Sequence, residues 1–361
     1  MEKSKLNKLD LLGYNSFYEK SFKELKREDL IPGRIAVENK NNYEVFTETG
    51  EVIAEISGNL LFNTEVKAEL PKVGDWVALA LFDELGIIHH VLKRQVKLSR
   101  KNVDNKTEEQ VIAANVDVVF VMQSANDNFN LNRMERQVTA IYNSGAMPAI
   151  ILSKTDLCDD VENLVSEIKV RFSEIQIFPL SSIKNNGLEE LEKNILQGKT
   201  YTIIGSSGVG KSTLINSLIG EDVLKTLEIR EADSRGRHAT TRRQMLVLPN
   251  GGIIIDTPGM REFGLWEDVN GISKTYFEFE EYAHSCRYDD CSHTVETGCA
   301  VKKAIDDGEI DHERYENYLK LRKELNFLET KIDVRKAIEE KKKWITIQKD
   351  YRRIMNKGKK K

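Results

Sequence analysis

No apolar run in this 361-residue chain approaches the roughly 20 residues that a bilayer-spanning helix needs, so no membrane span is expected. The opening stretch, MEKSKLNKLDLLGYNSFYEK, has no apolar secretory core. A short amphipathic helix is expected there rather than a signal peptide, and with it a cytoplasmic location. Cysteine is scarce, at four residues. Three of the four, Cys286, Cys291 and Cys299, fall within fourteen positions. Without a secretion signal, such a cluster points to metal binding and away from a disulfide framework. Cys158 stands alone and is read as structural. There is no internal repeat.

What is present is ordinary soluble material, 40% hydrophobic and 31% charged, enough for the cores of two or three domains. The net charge of −4 conceals a basic tail: residues 341–361 hold ten Lys or Arg against the single acid Asp350. An acidic chain with a basic end suggests local contact with a polyanion.

Four segments are expected. Residues 1–30 form a helical extension. Residues 31–100 carry five short β patterns, GRIAV, YEVFT, EVIAEI, VGDWVAL and GIIHHVL, separated by turn residues. Five strands in that length suggest a small barrel of the OB-fold type. Arg34, Lys72, Lys93, Arg94 and Lys97 are its candidates for phosphate contact. Residues 101–265 change texture: VDVVFVM, MPAIILS, IQIFPL, TYTIIG and GIIIDT are continuous apolar runs, alternating with helical stretches. That pattern belongs to a parallel sheet covered on both faces, with ligands at the carboxyl ends of its strands. Residues 266–361 read as a helical, metal-binding domain ending in the basic tail.

The segment IIGSSGVGKSTLINSL satisfies G-x-x-x-x-G-K-[ST] between a strand and a helix. Gly205, Ser206, Ser207, Gly208, Val209, Gly210, Lys211, Ser212 and Thr213 should wrap phosphate with backbone N–H groups at a helix N-terminus. Lys211 should reach the β and γ phosphates, and Ser212 should ligate magnesium. Asp256, ending GGIIID, is the expected metal acid, and the Gly259 N–H would sense the γ phosphate. Between them, DSRGRHATT offers Thr240 and Thr241 as switch threonines closing over magnesium. Spacing does not choose between them.

A base-reading loop is expected at ILSKTD. Guanine presents two adjacent donors, which the Asp156 carboxylate accepts together and which adenine lacks, so an ATPase is disfavoured. The Lys154 stem would pack over the base. Ser153 stands where Asn is usual in such loops, and weaker bracing of the phosphate loop is expected. Ser181 and Ser182 mark the strand end where an N–H meets the guanine oxygen. Cys286, Cys291, His293 and Cys299 read as C-x4-C-x-H-x5-C, a ligand set for one tetrahedral zinc, with His284 as the alternative nitrogen donor.

The order of loops, base before phosphate, is a circular permutation of the usual GTPase. With a barrel before it and a Cys/His cluster after it, the chain resembles the small-ribosomal-subunit-dependent GTPase A family (RsgA, also called YjeQ). VGDWVAL, EQVIAANVDVVFVM, GSSGVGKSTLIN, GRHATT, DTPGMREF and CRYDDCSHTVETGCAVKKAIDDGEI carry the resemblance in order along nearly the whole chain. It implies a GTPase stimulated by the 30S subunit and acting in its late maturation, with magnesium accompanying GTP, one structural zinc, and contact with 16S rRNA. A monomer cycling between GTP and GDP is expected. His238 is the family's catalytic candidate beside Lys211, since Met260 stands where many GTPases place a water-orienting Gln. Ser153 and Ala239 depart from the family pattern, as in a divergent second copy. Two other readings remain: an RNA-binding assembly chaperone with a weak or structural nucleotide site, and a permuted GTPase of the large subunit.

Overall fold

The computed structural model describes residues 8–64, 66–83, 85–101, 109–126, 129–220, 243–257 and 270–327. The chain divides into two compact units, Met1–Leu265 and Trp266–Lys361.

In the first unit, β1 (Ile31–Glu38), β2 (Tyr43–Thr47), β3 (Glu51–Ile56), β4 (Trp76–Phe82) and β5 (Leu85–Val91) close a barrel. The pairing runs β1-β2-β3-β5-β4, and β4 returns to β1. Only β3 and β5 are parallel, and the short helix Gly58–Asn63 lies between β3 and β4. This is the five-stranded barrel expected from the alternating patterns. Burial alternates with a period of two along β2, at Tyr43, Val45 and Thr47, whereas β1 and β4 each bury five consecutive residues. A helix at Ser16–Lys23, capped by Asn15, covers the barrel with Tyr18 against Trp76.

The strands β6 (Lys97–Lys101) and β7 (Glu109–Ala114) form a separate antiparallel pair. Beyond it come β8 (Val118–Ser124), β9 (Met147–Ser153), β10 (Ile177–Pro179), β11 (Thr200–Ile204), β12 (Gln244–Val247) and β13 (Ile253–Asp256). They lie in the order β10-β9-β8-β11-β13-β12, all parallel except β12. Ile253, Ile254 and Ile255 are all fully buried, as a strand covered on both faces requires. Leu131–Ser144 illustrates the covering helices: Asn130 Oδ1 accepts from the Arg133 N–H at its start, and Gly145 at φ 87° ends it.

The barrel and the parallel sheet share β1, which pairs with β12 as well as with β2 and β4. Two of the five cations proposed for phosphate contact belong to this framework instead. Arg34 is 1% exposed. Its guanidinium donates to Thr200 Oγ1 at 2.8 Å, Asn115 O at 3.2 Å and the Leu12 carbonyl, which ties the N-terminal extension, barrel and sheet together. Arg94 makes two bonds to the fully buried Asp75, at 2.8 and 2.7 Å, and one to Leu70 O at 2.9 Å. A buried guanidinium has several donors to satisfy and takes carbonyls and carboxylates from its own fold. The other three, Lys72, Lys93 and Lys97, pair with Glu38, Glu24 and Glu109.

The second unit contains helices Asn270–Thr275, Phe277–Ala283 and Ala300–Asp306, and a longer helix over residues 312–327. Its core is aromatic. Phe279 stacks on Tyr318 at 4.6 Å, and Tyr276 lies edge-on to both. Arg314 donates to Thr275 O at 3.0 Å and pairs with Glu278.

Candidate functional site

Because β8, β9, β10, β11 and β13 are parallel, the loops after them lie along one edge of the sheet. Strand order sets their order in space: Ser181 and Ser182 after β10, Ser153 to Asp156 at the end of β9, the glycine-rich loop after β11, and Asp256 ending β13. The glycine-rich loop, late in the chain, thus sits between the early 153–156 loop and the later Asp256. Chain order and spatial order differ as a permutation demands.

The glycine-rich loop has the geometry that its sequence requires. Gly205 sits at φ 156°, and a Cβ there would lie 2.3 Å from Met122 O. Gly210, at φ 104°, starts the helix Lys211–Ile219. Lys211 Nζ donates to Gly205 O and Ser206 O, both at 2.8 Å, so the ammonium is folded back over the loop. Val209 is buried, while Ser207, Gly208, Ser212 and Thr213 face outward. On the far side, Thr202 Oγ1 donates to Ile255 O at 2.8 Å and fixes the strand end that carries Asp256.

Ser153 is 2% exposed and reaches the phosphate loop despite its length. Its hydroxyl lies 2.8 Å from Val209 O and 3.2 Å from Gln123 O. One proton serves one acceptor at a time, and the shorter contact is the one to the phosphate loop. The serine therefore makes the inter-loop brace, with one bond. Ser153→Ala is expected to weaken GTP binding about three- to tenfold, the worth of one net hydrogen bond with its acceptor left unpaired. Titration calorimetry would check this, and unchanged affinity would refute it.

Lys154 adopts a left-handed conformation, φ 57° and ψ 37°, and turns the chain into the short helical turn Thr155–Leu157. That turn presents Asp156 at the surface, half-exposed. The Ser181 hydroxyl donates to the Asp156 carboxylate and, with Lys184 and Lys154 nearby, holds its pKa below the usual carboxylate value. A carboxylate kept ionised is what accepting two donors requires. Ser181 itself is buried, and its N–H is bonded to Asn186 O at 2.9 Å. Ser182, the next residue, is partly exposed. A groove of about 580 Å³ adjoins this corner, lined by Asp156, Ser181, Lys184, Val161, Val165 and Lys169 among others. His238, Thr240, Thr241 and Gly259 lie outside the described residues, as do Ala239, Met260 and the basic tail.

In the second unit, Cys286, Cys291, His293 and Cys299 come together, their donor atoms all within 4.8 Å of one another. His293 Nδ1 lies 3.6 Å from Cys286 Sγ and 3.5 Å from Cys299 Sγ, and those two sulfurs are 4.0 Å apart. A tetrahedral ion bound at about 2.3 Å to sulfur and about 2.0 Å to nitrogen has sulfur–sulfur edges of roughly 3.8 Å and sulfur–nitrogen edges of roughly 3.5 Å. The four residues are therefore compatible with a zinc site. Burial lowers the His293 pKa, which favours the neutral imidazole that binds metal. His284 is exposed and is not one of the four.

The loop is also held from outside. Tyr315 Oη donates to His293 O at 2.6 Å, and Arg322 donates to Ser292 O at 3.1 Å. The Glu296 carboxylate accepts from the Ser292 hydroxyl and from the N–H groups of Ser292, Thr294 and Val295; the hydroxyl first, then the Ser292 N–H, pull its pKa down to about 2. These partners were not readable beforehand: the sequence shows the ligands but not what braces them.

A family model described as RsgA GTPase matches residues 91–266, and one described as 50S ribosome-binding GTPase matches residues 200–357. The second match begins after the 153–156 loop, as it must if that loop has been moved forward in the chain. The small ribosomal subunit biogenesis GTPase RsgA 2 of Listeria monocytogenes serotype 4b is 42% identical over 320 residues, covering 89% of this chain and 91% of that protein. The crystal structure of YjeQ from Thermotoga maritima is similar at a TM-score of 0.62 and 27% identity, covering 82% of this chain and 98% of that one. That of YloQ, described as a circularly permuted GTPase, has a TM-score of 0.62 at 22% identity, covering 83% and 96%, a likeness of fold.

Proposed function

The chain belongs to the RsgA family of small ribosomal subunit biogenesis GTPases and hydrolyses GTP, and from that membership we propose that it acts on the 30S subunit late in maturation, with hydrolysis coupled to its release. The observation that carries this reading is the pairing of a barrel and a Cys/His unit with a nucleotide edge in which Asp156, the glycine-rich loop and Asp256 stand in line.

In this reading Asp156 selects guanine, Lys154 packs on the base, and the Ser182 N–H meets the guanine oxygen. Ser153 ties the base loop to the phosphate loop. Residues 205–213 hold the phosphates, with Lys211 swinging from its own loop carbonyls onto the β and γ oxygens. Ser212, Asp256 and one of Thr240 and Thr241 would hold magnesium, which supplies charge compensation for the phosphates. The Gly259 N–H senses the γ phosphate. Cys286, Cys291, His293 and Cys299 hold one structural zinc. The basic tail and the second unit supply contact with 16S rRNA, since the barrel's arginines are committed internally. The protein works as a cytoplasmic monomer, divided functionally at about residues 30, 100 and 265.

Met260 has no group to orient water, so the attacking water needs another partner. His238 suits the task chemically. His238→Ala is expected to leave GTP binding intact and to lower 30S-stimulated turnover about a hundredfold. The assay compares GTPase rates with and without purified 30S. Wild-type stimulation by 50S in place of 30S would favour the large-subunit reading suggested by the second family match. No stimulation by either subunit would favour an assembly chaperone.

A further inference from the structure

The barrel's outer face carries an exposed apolar row. Phe82 of β4 pairs with Leu85 of β5, Leu85 pairs with Ile53 of β3, and Ile53 pairs with Glu44 of β2. Residues paired in register point to the same side of a sheet, so Phe82, Leu85 and Ile53 stand side by side. They are 63%, 38% and 42% exposed. One such residue alone is ordinary, but three in one row make a patch. The same side is closed further back along β4. Side chains alternate along a strand, so Trp76, Ala78, Ala80 and Phe82 share a side. The first three are buried in one cluster with Leu9 and Tyr18. Phe82, the next on that side, is outside it.

The charge around the row has one sign. Residues 43–56 and 76–88 hold six acids and no Lys, Arg or His. Glu51 and Glu55 flank Ile53 on its own side of β3, and both are exposed. Glu44 closes the row on β2. Asp83, also exposed, turns the chain from Phe82 toward Leu85 at φ 52°. Lys40, exposed in the turn between β1 and β2, is a single charge against these.

Barrels of this type usually take oligonucleotides on β2 and β3 and at the β4–β5 loop. Here that surface repels phosphate. A second copy presenting the same face would set acids against acids. What the face complements is a cationic chain with an apolar side chain to lay on the row. We propose that Phe82, Leu85 and Ile53 form a docking surface for a lysine- and arginine-rich protein segment. An aliphatic or aromatic residue of that segment sits on the row, and its cations face Glu44, Glu51, Glu55 and Asp83. The apolar contact supplies most of the affinity, while the acids speed encounter and select a basic partner. Nothing in this assignment depends on which ribosomal subunit the protein meets.

Anisotropy titration of the full chain with a labelled peptide of Lys-Lys-Leu repeats tests it. Phe82→Ser and Ile53→Ser should each weaken binding about tenfold, the scale of an anchor residue in an interface. Glu55→Lys should weaken it about threefold, as a rim charge does. A peptide of Glu-Glu-Leu repeats should not bind, and basal GTP hydrolysis should be unchanged in all three variants. In wild type, where no variant has to fold, the basic peptide should slow hydrogen exchange across residues 51–56 and 80–88. Protection elsewhere overturns the proposal, as does peptide affinity unchanged by both serine substitutions. Oligouridylate binding that Phe82→Ser abolishes, or a dimer that it dissociates, would assign the row to RNA or to a second copy instead.

Discussion

Asp156→Asn is expected to lower GTP affinity by on the order of a thousandfold and to raise affinity for xanthosine triphosphate. The carboxylate accepts two donors from the guanine edge, N1–H and the exocyclic amine. An amide in its place keeps one acceptor and turns its second group into a donor facing that amine. Xanthine carries an oxygen where guanine carries the amine, so the same amide then has a partner. Sites built around such a donor–acceptor match reject the mismatched ligand strongly, because each side is left with an unpaired group. The Ser181 hydroxyl on Asp156 matters here, since it holds the carboxylate in place and ionised. Competition binding with GTP, ATP and xanthosine triphosphate measures the exchange. Equal GTP affinity in variant and wild type would remove Asp156 from base recognition. A gain in ATP affinity in place of xanthosine triphosphate would mean that the base sits the other way around.

Much of this site was legible in the sequence because it is written locally. The nine residues 205–213 are contiguous, and their glycine spacing has a steric cause visible in the structure, the approach of Gly205 to Met122 O. The Cys/His spacing was equally local, and the four donors converge. The five barrel strands were legible because short β patterns are set off from one another by turn residues, although only β2 alternates cleanly in burial while β1 and β4 each bury five residues in a row. What could not be read depends on partners far away in the chain. Arg34 has the same letter whether it meets phosphate or is buried under Thr200, 166 residues on. Ser153 looked too short for its task because nothing in ILSKTD says that Val209 O comes down to meet it. The strand QMLV of β12 is four residues long and lies in a polar region, so it went unread, and with it the junction to β1. The hairpin of β6 and β7 was missed for a related reason. Its first strand, KLSRK, is charged, and it pairs as a strand because Leu98 and Ser99 are buried beneath it.

The other large effect is expected at the Cys/His unit. Cys291→Ser, or removal of the metal with a chelator, should release one zinc per chain and abolish order across residues 286–299, while GTP binding by the first unit persists. The reason lies in what that loop otherwise owns. Between residues 284 and 299 the buried side chains are Cys291, His293 and Cys299, so the loop has no apolar core of its own. Structural zinc contributes about 10–16 kcal/mol of apparent binding energy in small zinc modules, comparable with the ~5–15 kcal/mol net stability of a whole domain. Hydrogen bonds to the loop cannot replace that. Tyr315 and Arg322 each donate to a loop carbonyl, at about 1 kcal/mol net apiece. The helices around it differ, because Tyr276, Phe279 and Tyr318 pack ring against ring, and Leu321 and Leu325 are buried as well. They should survive as helices with a lowered melting temperature, having lost the partners of Tyr315 and Arg322. Elemental analysis, with hydrogen exchange across 286–299 and a melting curve read by circular dichroism, follows all three consequences. A wild-type protein carrying no zinc, or a Cys291→Ser variant with unchanged exchange in that loop, would rule out a structural metal there.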